Sequence, residues 1–388
     1  MIIIPFDYIT NMIKTKTLLP DGTLKITFQG DRIDPSFVNC LRRLMIGECP
    51  SYSLAGDFTI HLNTSSLNDE YIMTRVHMIP IFVSTIDDLS FFEKKPIFWI
   101  AAKGDIRNPL INNDDKDLMV TTHMLQVFDK SGNPLDVDIK QLIKYDFPIL
   151  KLRKGQEFHL EVTPVSGIGH NHATFKTGMV TYKFENPVSS GEKDVKSVNP
   201  ITKEKLETIA DKKAYFKNDR GNPRNITITV RENGHYTVED CVRLALRIME
   251  DKLLRLQVLI DNRMGLGTDD TQTSIEIIPS TDIENYIQIK IVDPDVSDMP
   301  LATHSIGNLL ANHMNYRIEE LIKGDLEMIR DSMASYRRPH PLDEIIYLNI
   351  KTPKNLYGKD FTGNASERLL DETIGDLLGY IRQIKGKF

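Results

Sequence analysis

Apolar and polar positions along the chain follow two rhythms. Residues 23–29 (TLKITFQ) alternate, the period of a strand with one buried face. A helix start follows, with Asp34 as N-cap and Pro35 supplying the fixed φ of a first helical position. Phe37, Leu41 and Leu44, flanked by Val38 and Met45, make one apolar stripe, with Arg42 and Arg43 off it. Gly47 and Pro50 end that helix. From 51 to about 221 the pattern changes. Short β-like runs at 58–62, 96–101, 118–122, 158–163 and 179–184 alternate with turn clusters such as 129–134, and the polar stretch 187–213 reads as loop.

Helical periodicity returns at Thr237-Val238-Glu239-Asp240, a capping-box pattern. Val242, Ala245, Met249, Leu253, Leu256 and Ile260 then recur every three or four residues, a long amphipathic helix that needs a partner. Residues 261–272, with Gly265 and Gly267, have a linker's composition. Beyond them a similar order recurs: a strand at 286–292, a short helix at 305–314, a strand at 344–351 and a closing helix at 364–387. The stripe of that last helix is Leu370, Ile374, Leu377, Ile381 and Ile384. A helical stretch at 316–335 fits between as an insertion or extension.

One internal match sharpens this order. Ser36-x-x-Asn39-x-Leu41-x-x-x-Met45 and Ser305-x-x-Asn308-x-Leu310-x-x-x-Met314 share four residue types at a constant offset of 269. Coincidence between two ordinary helices is the bland explanation. The sharper one is two related half-domains that pair, since either alone would expose an apolar helix face of a size soluble monomers avoid.

Composition narrows the class. At about 150 residues per domain, 388 residues make two or three domains. With 40% hydrophobic and 26% charged residues, wholesale disorder, collagen and a pure coiled coil are excluded. A net charge of −6 argues against a free-standing DNA-binding factor, whose affinity rests on a basic surface that releases counterions. Cys40, Cys49 and Cys241 are too few and scattered for a disulfide framework or a four-ligand zinc site, and read as thiols kept reduced inside a cell. No apolar run approaches the roughly 18 residues of a membrane span, and residues 1–7 make a poor signal peptide. The expectation is an intracellular protein with no membrane contact.

Candidate chemistry is sparse. Asp293, Asp295 and Asp298 offer carboxylates to a hard cation, but Asp293-Pro294-Asp295 after a strand is ordinary turn chemistry. His170 and His172 could ligate a metal from one strand face, with no third ligand nearby. Gly167-x-Gly169 and Gly265-x-Gly267 lack the third glycine of a dinucleotide loop, and no Ser or Cys stands in a nucleophile elbow. Arg42 and Arg43 are either a solvated helix face or two planar donors for an acidic partner surface. Tyr336-Arg337-Arg338-Pro339-His340-Pro341 reads as a rigid turn into the strand after it.

Five motifs, in one order, carry a resemblance. In the first part they are Asn39-x-Leu41-Arg42-Arg43 with Glu48-x-Pro50, Asp69-Glu70 with Arg75 and Ile79-Pro80-Ile81, and Gly167-x-Gly169-x-x-His172-Ala173. In the last part they are Thr303-His304-Ser305-Ile306-Gly307-Asn308-Leu309-Leu310 and Tyr336-Arg337-Arg338-Pro339. The first part resembles the third-largest subunit of multisubunit DNA-dependent RNA polymerase, the archaeal D subunit and, more distantly, the bacterial alpha subunit. The last part is similar to the eleventh-largest, or archaeal L, subunit.

The resemblance implies an α+β chain of two alpha-subunit-like pairing domains docked as an intramolecular pseudo-heterodimer. The first domain (1–50 plus 222–262) is interrupted by a β-rich insert (51–221), a linker covers 263–272, and the second domain is 273–388. It implies pairing through Phe37, Leu41, Leu44, Val242, Met249, Leu256, Leu310, Ile374, Leu377 and Ile381. It also implies partner-subunit contact through Arg42, Arg43, Glu48, Asp69, Glu70, Arg75, Gly169 and His170. The implied role is a non-catalytic assembly subunit that binds the second-largest, then the largest, subunit beside small assembly subunits, meeting DNA only through the complex. No catalytic residue and no cofactor is expected. Many relatives carry a cysteine cluster in the insert; this insert has none, so no metal is expected there. One polypeptide for both parts is similar to the arrangement in large DNA viruses, which implies host cytoplasm and virion as its place, or the nucleus if the source is cellular. A linker would also hold the halves at roughly millimolar effective concentration. The alternative function is a metal-dependent enzyme using His170, His172 and the three aspartates.

Overall fold

The computed structural model of the chain describes residues 12–30, 33–83, 96–103, 117–185, 215–216, 223–263, 274–280, 283–293, 300–322, 326–340, 343–352 and 363–388. Its strands run from β1 (Ile13–Leu18), β2 (Leu24–Gln29), β3 (Ser51–Ser53), β4 (Phe58–Asn63), β5 (Pro80–Ile81) and β6 (Ile97–Lys103) to β7 (Leu118–Thr121), β8 (Gln126–Phe128) and β9 (Pro148–Leu152). They continue through β10 (Glu157–Val162), β11 (Val165–Gly167), β12 (Gly178–Phe184) and β13 (Asn225–Glu232) to β14 (Ser274–Pro279), β15 (Tyr286–Val292), β16 (Met333–Arg337) and β17 (Ile345–Lys351). The helices are α1 (Pro35–Gly47), α2 (Asp69–His77), α3 (Ile139–Leu142), α4 (Val238–Arg263), α5 (His304–Ile322), α6 (Leu326–Asp331) and α7 (Gly363–Lys385).

Local chemistry explains where the principal helices begin. Asp34 Oδ1 accepts from the Phe37 amide at 3.0 Å and from the Ser36 hydroxyl at 2.6 Å, satisfying a free donor of the first turn of α1. Thr237 Oγ1 accepts from the Asp240 amide at 3.1 Å, the forward half of the capping box that opens α4.

The chain divides into two compact units, residues 1–44, 180–229 and 245–388 in one and 45–179 with 230–244 in the other. The first unit holds two four-stranded sheets, ordered β1-β2-β13-β12 and β14-β15-β17-β16. Numbered within each half, both orders read first, second, fourth, third. A helix follows the second strand in each (α1, α5), and a long helix follows the fourth (α4, α7). In the second sheet every pair is antiparallel, and Ile287, Ile289 and Ile291 of β15 alternate inward beside Ile346, Leu348 and Ile350 of β17. α5 packs on β16, β17 and α7, while α7 also covers β14 and β15. The stripes of the long helices are fully buried: Val242, Met249, Leu256, Ile374, Leu377 and Ile381 are all 0% exposed.

Contacts inside this unit join the halves. Gln257 Nε2 of α4 donates to Asp371 Oδ1 of α7 at 3.1 Å, and Glu250 takes Arg382 Nε at 3.3 Å and the Lys385 ammonium. Rising numbers on α4 therefore meet falling numbers on α7, an antiparallel pair. The buried Lys252 donates to the Pro300 carbonyl, and Arg255 Nη2 lies 3.5 Å from Asp293 Oδ1. At the chain's end, Lys16 Nζ of β1 sits 4.2 Å above the Phe388 ring.

The second unit contains the sheet β4-β10-β6-β8, the smaller β11-β3-β5, the pair β7-β9, and α2. Phe98, Ile100, Val120, Leu152, Phe158 and Leu160 lie in its core, which Ile72 and Val76 of α2 join.

Several sequence expectations are corrected. The helix at 305–314 continues to Ile322 as α5, and residues 316–335 are the end of α5, then α6, then part of strand β16. The buried side chains of α5 include His313 and Tyr316, so its apolar stripe is broken by polar types and reads short. Residues 179–184 join the first sheet as β12, rather than the β-rich segment that chain order suggests. The turn at 336–341 begins on a strand, Tyr336 pairing with Leu348, and Arg338 Nε then donates to the Asp343 carbonyl at 3.0 Å. Strands β1, β3, β5, β8, β9, β11, β13, β14 and helices α2 and α3 are additions to the elements that the sequence pattern predicts. In β1 only Ile13 is buried, which leaves no alternation to read. Residues 187–213 and 264–272, with Gly265, Gly267, Asp295 and Asp298, lie outside the described residues.

Candidate functional site

Phe37, Leu41 and Leu44 on α1 and Leu310 on α5 are each 0% exposed, and Phe37 meets Phe28 of β2 in its own half edge-on at 6.5 Å. At the start of α1, Asp34 Oδ2 accepts from the Tyr316 hydroxyl of α5 at 3.5 Å, and Asp34 Oδ1 lies 4.0 Å from His313 Nε2. At its end, Arg43 is near enough to His304, the first residue of α5, to depress the imidazole's proton affinity. Burial is the larger cause of that lowered pKa, and Arg338 acts with Arg43. α1 and α5 therefore run antiparallel. No sequence expectation named Asp34, His313 or Tyr316 as contacts; the available signal was a histidine set into the apolar stripe of α5.

Arg42 is half-buried, its Nε and Nη2 donating to Asn39 Oδ1 at 3.0 and 2.9 Å. Arg43 is exposed and makes no side-chain hydrogen bond or ion pair among the described residues. The sequence pair thus separates into one arginine committed to its own helix and one presented outward.

In the second unit, residues 167–175 seal the chain around 46–48. The His170 amide donates to the Gly47 carbonyl at 2.9 Å, and a Cβ on Gly169 would lie 2.2 Å from the Ile46 carbonyl oxygen. A Cβ on Gly47 would meet His170 Nε2 at 2.7 Å, so two glycines allow this approach. His170 Nε2 stands 3.8 Å from Oε1 of the buried Glu48, with its imidazole half-exposed. His172 points elsewhere: its Nδ1 accepts from the Thr174 amide at 3.2 Å. Beneath, the buried Cys49 thiol is pushed up by desolvation, then by Cys241; its proton is held, which suits packing better than nucleophilic attack.

Asp69, Glu70 and Arg75 lie on the exposed side of α2. Asn68 caps this helix by accepting from the Tyr71 amide at 3.1 Å, and Asp69 Oδ1 accepts from Asn63 Nδ2 at 2.7 Å. Arg75 Nη2 donates to the Pro148 carbonyl at 2.9 Å. Tyr71, Arg75, Met78, Phe147, Pro148 and Ile149 line an open apolar groove of about 460 Å³ beside α2. Tyr71 and Met78 are exposed there, and no motif pointed to this groove.

The metal alternative does not assemble among the described residues, which leave out Asp295 and Asp298. Among the described residues no three His, Cys, Asp or Glu side chains stand close enough to hold an ion. Asp293 is buried and structural: it accepts from the Leu301 amide and faces Arg255. Among the described residues, no helix is long and apolar enough to cross a membrane.

Comparison with known proteins agrees with this geometry. DNA-directed RNA polymerase subunit Rpo3 of Pyrococcus horikoshii is 26% identical over 270 residues, covering 62% of this chain and 95% of that protein. Subunit 3 of DNA-directed RNA polymerases II, IV and V of Arabidopsis thaliana is 29% identical over 181 residues, 42% of this chain and 55% of that protein. A conjugation stage-specific protein of Tetrahymena thermophila is 23% identical over 255 residues, 60% of this chain and 78% of that protein. The model of the RNA polymerase Rpb3/Rpb11 dimerisation domain matches residues 27–253, which takes in the end of β2, α1, β13 and most of α4. The chain belongs to the RNA polymerase Rpb3/Rpb11 dimerisation family.

Proposed function

We propose that the chain is a fused third- and eleventh-subunit-like assembly platform of a DNA-dependent RNA polymerase. Its two alpha-like halves pair as an intramolecular pseudo-heterodimer. The observation that carries this reading is the repeated strand order in two sheets whose long helices bury one seam. The platform presents Arg43, Asp69, Glu70, Arg75 and His170 to partner subunits, the second-largest first and the largest afterwards, while Arg42 is held by Asn39, Glu48 is buried beside His170, and Gly169 lets the loop approach Ile46. Exposed Arg43 supports that role, because a planar, uncommitted guanidinium is suited to a carboxylate on a partner. We assign no catalytic residue to the chain, and DNA reaches it only through the complex. The viral source, and with it the host cytoplasm and virion, rests on the fusion alone.

Affinity purification of the tagged chain from its native source tests the reading. The two largest polymerase subunits should come down with it in stoichiometric amounts, together with small assembly subunits. Recovery as a lone monomer at low salt overturns the proposal.

A further inference from the structure

The polar residues buried between α1 and α5 serve no helix stripe. Asp34 is 5% exposed and His313 4%, on helices whose buried side chains are mostly apolar. Asp34 does two things at once: Oδ1 caps α1 by taking the Phe37 amide, and Oδ2 takes the Tyr316 hydroxyl. His313 stacks edge-on against Tyr316 with ring centres 5.6 Å apart, and lies 6.0 Å from the Tyr380 ring of α7. A carboxylate on one half is thus met by an imidazole and a phenol that are both on the other.

The internal repeat makes this arrangement one-way. At the offset of 269, Thr303 stands where Asp34 does, Leu44 where His313 does and Gly47 where Tyr316 does. If two first halves paired through the same face, Asp34 would be buried against Leu44 and Gly47, with no phenol or imidazole opposite it. A buried carboxylate left with only the Phe37 amide and Ser36 hydroxyl of its own helix, and nothing opposite Oδ2, is disfavoured, and the like-with-like pair carries that penalty twice. At the position equivalent to Asp34 the second half carries Thr303, which has no charge to satisfy. We infer that Asp34, His313 and Tyr316 form a specificity key that makes the first half accept only the second as its pairing partner. The key both favours the right pairing and penalises the wrong one, the usual composition of specificity.

This inference rests on the pairing reading above, and its test separates the two. A protease site is placed within residues 264–273 of the full chain, and two differently tagged preparations are cut after folding, mixed and followed by native mass spectrometry. Cut wild-type protein should remain as first-half–second-half pairs, without first-half–first-half species. His313→Leu should speed exchange of halves by roughly tenfold or more, since it removes a partner from a buried carboxylate. Asp34→Leu should allow first–first pairs to form. Asp34→Asn keeps the cap and loses the charge, so it should give the same species if the leucine variant fails to fold. Asp34→Leu with His313→Leu should exchange more slowly than His313→Leu alone, the coupling expected of neighbours. Unchanged exchange in every variant, with no first–first pairs, overturns the key while leaving pairing intact. Separation of the wild-type halves on cutting overturns pairing and the key together.

Discussion

The two halves of the first unit share one plan and differ in what each places between its first helix and third strand. In the second half, α6 and a few residues connect α5 to β16. In the first half the same connection, from α1 to β12, carries the β3–β11 segment with its own core. The strand orders nevertheless match, so the addition leaves the sheet undisturbed. A pairing fold can accept a long excursion at that loop because closing it adds entropy only slowly with length. The excursion carries exposed features such as Asp69, Arg75 and the groove beside α2.

The sharpest way to break this comparison is to charge the shared seam. Leu256→Glu on α4 and Leu377→Glu on α7 each put a carboxylate at a position that is 0% exposed. Each should destabilise by several kcal/mol and drive aggregation, as seen by light scattering and a lost thermal transition. Two variants with wild-type solubility and melting would refute the seam.

The next effect compares tight glycines in the two halves' surroundings. Gly169→Ala drives a Cβ toward a backbone oxygen at 2.2 Å, whereas Gly307→Ala meets the Tyr336 ring at 2.8 Å, which can turn aside. Gly169→Ala should cost about 2–3 kcal/mol and Gly307→Ala about 1, measured by urea midpoints. Reversal of that order would show the contact around Ile46 to be looser than described.

A smaller effect belongs to Glu250. Its pKa is lowered chiefly by the hydrogen bond from Lys385, with Arg382 adding to it. A carboxyl depressed on folding contributes stability above its unfolded pKa and loses it as pH falls through the folded value. Glu250→Gln should therefore cost about 1 kcal/mol at neutral pH and nothing in acid below the lowered folded value. A constant difference from neutral to acid pH would contradict the pairing of α4 with α7 at this point.

The smallest effect on stability should come from Arg43. Arg43→Ala should change it by less than about 0.5 kcal/mol, because the side chain is exposed and uncommitted. Capture of the second-largest polymerase subunit should fall all the same. Equal capture by this variant would remove Arg43 from the proposed contact set.

Both long helices were legible in the sequence, because Val242 to Ile260 and Leu370 to Ile384 repeat at helical spacing, and both stripes are buried. The repeat was legible only in α1 and α5, where four residue types coincide. The strand order extends it to the whole half, and sheet order leaves no trace in local spacing. β16 was hidden because its burial runs eBiie, with no alternation, directly after helical sequence. β12 sorts with the excursion by chain order, and only its pairing with β13 places it in the first sheet. The adjacent arginines were legible as a pair, but their division into one that bonds its own helix and one that makes no hydrogen bond or ion pair among the described residues depends on Asn39, three residues before Arg42. The sequence marks Asp34 as a cap, and its second role is invisible without knowing that α5 lies against it.

Zero-length carbodiimide cross-linking followed by peptide mapping tests the central claim most directly. Glu250 and Lys385 are in ion-pair contact across the seam, 135 positions apart in the chain. The amide bond between them should form within single chains, in the monomer fraction and at a yield independent of protein concentration. A Glu250–Lys385 link found only in chain dimers, or absent from folded protein, would contradict the pairing of the two halves within one polypeptide.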